Sequence, residues 1–236
     1  MAGRSGVEPD VRARVPLSRQ RVLRAAVDLA DREGIDALTM RRLAQELDVE
    51  AMSLYHHIAG KELLLDGIVE LVLDEMQQEM AEVETPPAAE DWQAALRKRV
   101  LTARQVMMRH KWAPQVLETR TVMSPSIIAW FDAVLGVLVE GGFSYDLAHH
   151  AMHALGSRAL GFTQELFEPD GAEVDDQNAA MLEQMAEHFP YIVGMMAEVV
   201  HDGPEDTLGW CDDQTEFEFG LDVLLDGLER RRQRTR

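Results

Sequence analysis

Apolar positions recur every three to four residues along almost the whole chain, the spacing of a single buried stripe on a helix. Strict alternation between turn residues is lacking, so the pattern predicts no strand. Val22, Ala26 and Leu29 set a first helix over 18–33, and Gly34 stands where it should stop. Thr39 is placed to cap a short helix over 40–47 whose Leu43 and Leu47 face inward. In the turn Asp48-Val49-Glu50, Asp48 tolerates left-handed backbone, and a second short helix follows over 51–57. A long helix runs over 61–83 on Leu64, Ile68, Leu71 and Val72, until Glu84-Thr85-Pro86-Pro87 breaks it. Further helices are expected at about 90–110, 112–119, 124–141, 144–168, 178–201 and 212–232. Acidic, turn-rich loops separate the later ones, and Pro190 should kink or split its helix.

The predicted fold is therefore all-α. Three divisions follow: a flexible basic arm over 1–17 with Arg4, Arg12 and Arg14, a helix-turn-helix domain over 18–64, and a larger helical domain over 65–236. The longest apolar run, Ile127–Val139, is interrupted by Asp132, too short for a bilayer span of about 20 residues. One cysteine, Cys211, leaves no disulfide framework and no multi-thiolate metal site. With no apolar leader at the N-terminus, a reduced cytoplasmic protein without membrane partners is the simplest expectation.

Charge divides the chain. The formal net charge is −19, yet residues 1–61 carry +1 and residues 62–236 carry −20. Only the first part approaches a polyanion without strong repulsion. The closing Arg-rich stretch, expected just after the last helix, suits a helix C-terminus better than a nucleic-acid patch.

Residues 38–57 have the spacing of a helix-turn-helix, with Met52, Ser53, Tyr55 and His56 on the outward face of its second helix. Such a helix fits the major groove, about 12 Å wide, but an ordinary helical hairpin has the same spacing. Resemblance favours the former. Gly34-Ile35, Ala37 through Ala44, Val49, Leu54-Tyr55-His56-His57 and Gly60 through Leu64 resemble, in order, the DNA-binding domain of the TetR family of transcriptional regulators. Trp92, Gly142-Phe143-Ser144, Phe219-Gly220-Leu221 and Gly227-Leu228-Glu229 are similar to the tetracycline-repressor branch.

The resemblance implies that Thr39, Tyr55 and Lys61 contact phosphates and that Arg41, with Met40 beside it, reaches a guanine. It leaves Met52, Ser53 and His56 on the remaining reading positions. Ala51-Met52 stands where that branch has Gln-Pro, and His56 where it has Trp, so the operator should differ. His56 and His57 suit base contact and a solvated or phosphate-facing role equally. The arm either enters the minor groove or has no role.

By position, the resemblance assigns Gln77, Phe131, Leu135, His149, Met152 and Glu165 to an effector pocket, with Met107 and Trp112 near them. The same region holds all four tryptophans and most of the methionines, which suit varied apolar guests but also fill cores. Gln115 to Arg120 lacks the His that holds magnesium in that branch, so a magnesium–tetracycline effector is not expected. His149 and His153, at i, i+4, lack the third ligand and second shell of a zinc site, so no metal and no cofactor are expected. No catalytic motif occurs, so the chain is not expected to be an enzyme.

The resulting expectation is a homodimeric repressor that binds palindromic operator DNA and is released by a small organic effector. The alternative is a small-molecule-binding or sequestering helical protein whose N-terminal hairpin is structural. Dimer contacts, in a four-helix bundle with the symmetry mates, are expected from Ala148, Ala151, Leu155 and Ala159 on one helix and Phe217, Leu221, Leu224 and Leu228 on another.

Overall fold

The computed structural model describes residues 16–120, 123–161, 188–191, 193–194 and 213–235. Among them there is no strand. The helices are α1 (Arg19–Glu33), α2 (Met40–Glu46), α3 (Ala51–Tyr55), α4 (Lys61–Glu82), α5 (Ala88–Arg109), α6 (Ala113–Glu118), α7 (Pro125–Glu140), α8 (Tyr145–Gly161) and α9 (Asp213–Thr235). The chain forms two compact units, one of residues 1–82 with 105–130, the other of 83–104 with 131–236. The expected boundary at 64/65 falls inside α4.

In the first unit local chemistry sets each helix end. The Ser18 hydroxyl caps α1 by accepting from the Arg21 amide at 3.2 Å. Gly34, at φ 83°, ends it and donates to the Ala30 carbonyl. A 3₁₀ turn over Ile35–Ala37, not foreseen from the pattern, leads to Thr39, whose hydroxyl accepts from the Arg42 amide at 3.0 Å and starts α2. Asp48 takes φ 53° between α2 and α3, as expected. Val22, Ala26, Leu29, Leu38, Leu43, Leu54, Leu64 and Ile68 are buried together with almost no exposure. Gly67 lets α4 approach α1: a Cβ there would lie 2.6 Å from Leu23 Cδ2.

In the second unit α5, α7, α8 and α9 share one core. Trp92 and Phe143 meet edge to face, ring centres 4.6 Å apart. Around them lie Leu96, Leu138, Ala148, Ala151, Leu155, Phe217, Leu221, Leu225 and Leu228. The helix expected from about 90 begins earlier, at Ala88, but breaks at Asp91 (φ −147°), whose carboxylate caps the longer stretch through the Ala94 amide at 2.9 Å. Arg97 donates to Asp222 and Glu218, and the Arg104 guanidinium lies 4.2 Å from the Phe217 ring centre.

Two expectations are corrected here. Ala148, Ala151, Leu155, Phe217, Leu221 and Leu228 are buried within the chain, so this stripe builds its own core instead of a dimer face. The physical reason is that α8 and α9 bury their small and apolar faces against each other and against Trp92 and Phe143. The large apolar residues that α9 leaves exposed are Phe219 and Val223, at 67% and 57%. The second correction is length: α9 continues to Thr235, so the arginines lie on its last turns. Arg232 pairs with Glu229 and donates to the Gly141 carbonyl at 3.0 Å.

The structure shows a break at Phe189, directly before Pro190, as the proline requires. The basic arm up to residue 15, both acidic loops, most of the helix expected over 178–201, and Cys211 lie outside the described residues.

Candidate nucleic-acid interface

Positions 39–61 are arranged by the short core beneath them. Leu43, Leu54 and Ile58 are fully or nearly fully buried and fix α2 against α3. With those side chains inward, Thr39, Arg41, Met52, Tyr55, His56 and Lys61 are exposed, and Met40 and Ser53 are half-buried. Met52 is 67% exposed, a large apolar side chain in water on the second position of α3. Among the described residues, Arg41, Met52, Tyr55, His56 and Lys61 have no side-chain hydrogen bond or ion pair within the chain. Lys61 is the first residue of α4, where unbonded backbone N–H groups favour an anion.

Arg42, the neighbour of Arg41, is spent on structure. It pairs with Glu33 at 2.5 Å and with Glu46 at 3.1 Å, while Arg32 also pairs with Glu46 at 2.7 Å. The hydrogen bond from Arg42 holds the Glu33 carboxyl below its ordinary range. This four-residue network ties the end of α1 to α2. Its Arg42–Glu46 member has i, i+4 spacing, a signal that the sequence analysis did not use, whereas the links to α1 needed the fold.

Two further polar clusters of this unit gave no signal in the sequence. His110, nearly buried, has Nδ1 at 2.9 Å from Asp31 and Nε2 at 3.2 Å from Glu75. The Trp112 indole N–H donates to the same Asp31 at 2.6 Å. Burial pushes the Glu75 carboxyl up, but hydrogen bonds from Arg109 and His110 outweigh it and leave it lowered. The other cluster is Arg120 with Glu62 and Asp66, at 3.0 and 3.1 Å.

The effector candidates fall in different settings. Gln77 and His149 are exposed, Leu135 and Met152 are half-buried, and Phe131 is 40% exposed. Met107 and Trp112 are buried, the latter with its donor engaged by Asp31. Glu165 lies outside the described residues. His149 and His153 stack edge to face with ring centres 4.6 Å apart. Arg99, half-buried near the middle of α5, has its guanidinium pushed down by burial. A groove of about 880 Å³ in the second unit is lined by Leu147, His150, Ala154, Gly220, Val223 and Leu224, among others. It contains none of the effector candidates.

Among the described residues no three His, Cys, Asp or Glu side chains group as metal ligands, and no helix is long and apolar enough to cross a membrane. A capped two-helix reading element in one unit and a separate helical core in the other are the parts of a DNA-binding transcriptional regulator. Residues 22–68 match the family described as "Bacterial regulatory proteins, tetR family", and residues 85–232 match the "Tetracyclin repressor-like, C-terminal domain". The chain belongs to the TetR family.

Among its relatives is the HTH-type transcriptional repressor DrrR1 of Streptomyces coeruleorubidus, 33% identical over 95% of this chain and 82% of that protein. The class A tetracycline repressor of Escherichia coli is 30% identical over 89% of this chain and 90% of its own. Among solved structures, Streptomyces coelicolor ActR in complex with actinorhodin matches with a TM-score of 0.68 and 26% identity, covering 92% and 98% of the two chains. The protein is thus a DNA-binding and ligand-binding regulator of this family. Family members typically bind DNA as dimers and respond to small ligands.

Proposed function

We propose that the chain is a repressor that binds a palindromic operator as a homodimer and leaves it when a largely apolar or aromatic organic molecule binds. The observation that carries the reading is the exposure of Arg41, Met52, Tyr55, His56 and Lys61 with no partners among the described residues. Thr39, Tyr55 and Lys61 would take phosphates, which fix register. Arg41 would pair with O6 and N7 of a guanine, and Met52 would meet a thymine methyl. Met40, Ser53 and His56 complete the reading face.

One such element makes too few contacts for useful specificity, so two about 34–36 Å apart would read a dyad. The dimer surface we assign is the α8–α9 groove with the adjoining exposed Phe219 and Val223. Residues 65–236 would carry dimerisation and the effector site, with Phe131, Leu135 and Met152 as walls and His149 orienting the guest. The repressor name of DrrR1 and the ActR–actinorhodin complex support repression and an organic effector.

The test is to select DNA from a random pool with the purified protein, sequence it, and screen organic compounds for release of the recovered duplex. A palindromic consensus released by an aromatic compound supports the reading. Recovery of unrelated fragments from the selection rejects operator binding.

A further inference from the structure

The start of α4 is unexpectedly acidic for an end that should face phosphate. Lys61 is followed by Glu62 in the first turn and Asp66 in the second. Glu62 is 79% exposed, and Asp66 is 43% exposed. Arg120, from the segment just after α6, reaches both carboxylates through one nitrogen, at 3.0 and 3.1 Å, while its own side chain is only 10% exposed. Thr119 fixes the guanidinium from behind: its Oγ1 accepts from Arg120 Nε at 3.2 Å and Nη2 at 2.9 Å, and its hydroxyl donates to the Val116 carbonyl at 2.7 Å. Burial works against the charge on Arg120, but hydrogen bonds to Asp66 and Glu62 outweigh it and raise the guanidinium further.

Without Arg120 the first two turns of α4 would carry one positive and two negative charges. With it they are neutral. We infer that Arg120 is a positioning residue for DNA binding, the counter-ion that cancels Glu62 and Asp66 so that Lys61 and the α4 N-terminus can approach a phosphate. The inference rests on the reading of Lys61 given above. It assigns Arg120 an electrostatic task that a merely structural clamp does not have: charge must be kept, and a charge removed elsewhere must compensate its loss.

The test measures affinity of the full chain for the selected duplex across a salt series, with melting temperatures as the folding control. Arg120→Gln should weaken binding about ten-fold at low salt, since a dimer carries the change twice and exposed charges are felt within a Debye length of about 10 Å. Arg120→Gln combined with Glu62→Gln and Asp66→Asn should recover to within about two-fold of the parent, as should Arg120→Lys. A triple variant that stays as weak as Arg120→Gln, or an Arg120→Lys that binds no better than Arg120→Gln, overturns the assignment. Lys61→Ala reports separately on the underlying reading: an unchanged affinity and salt slope would remove α4 from the interface, whatever Arg120 does.

Discussion

The indole N–H of Trp92 donates to the Glu229 carboxylate at 2.9 Å, across 137 residues of sequence. Arg232 grips the same carboxylate and also reaches the Gly141 carbonyl, so α5, α9 and the end of α7 close on one acid. The Arg232 hydrogen bonds, opposed by burial and helped by Trp92 and Gln233, hold the Glu229 carboxyl at about 2.

A carboxyl lowered on folding stabilises the protein fully above its unfolded value. That contribution is lost as pH falls from about 4.5 through about 2. Glu229→Gln should cost about 1–2 kcal/mol at neutral pH. Thermal unfolding as a function of pH should show the gap between parent and variant closing in acid. A gap independent of pH would remove the charge from this explanation.

Lys61→Ala should weaken binding to every sequence and lower the salt slope by about one unit, and Tyr55→Phe should weaken binding without changing preference. Arg41→Ala should instead relax preference at one base pair, costing about 1–3 kcal/mol there. Selection repeated with each variant distinguishes these outcomes.

The two tight glycines should differ in cost. At Gly67 an added Cβ meets the flexible end of Leu23, so Gly67→Ala should cost about 1 kcal/mol. At Gly141 it meets Trp92 Cβ at 2.5 Å and the Val137 carbonyl at 3.0 Å, atoms that follow the backbone. Gly141→Ala should cost about 3 kcal/mol, and denaturant unfolding should rank the pair in that order.

Phe219→Arg with Val223→Arg should give folded monomers, read by sedimentation, that no longer hold operator DNA. Leu221→Arg should unfold the second unit, because Leu221 is completely buried there. Dimers of normal affinity from the first variant would place the interface elsewhere.

Once an effector is found, Phe131→Ala and His149→Ala should each weaken it, by about 1–3 kcal/mol for the apolar wall. Calorimetry reads this directly. A compound indifferent to both substitutions binds outside the assigned pocket.

The helices of the first unit were legible because their ends are chemically marked: Ser18, Gly34, Thr39 and Asp48 each occupy the position that their side chain or backbone freedom suggests. The exposure of Arg41, Met52 and Tyr55 followed from the inward Leu43 and Leu54. The role of the α9 stripe was not legible. An apolar face at helical spacing states that Leu221 is covered but does not say by which helix, and here Trp92, Phe143 and α8 cover it. The links Arg120–Glu62 and His110–Asp31 join residues 58 and 79 positions apart, beyond any local rule.

The network of Arg32, Glu33, Arg42 and Glu46 has an evolutionary consequence. None of those four side chains is among the outward positions 40, 41, 52, 53, 55 and 56, so what holds the reading element together and what gives it a preference are inherited separately. After gene duplication, a copy can change residues 52, 53 and 56 and drift to a new promoter while the scaffold beneath stays intact.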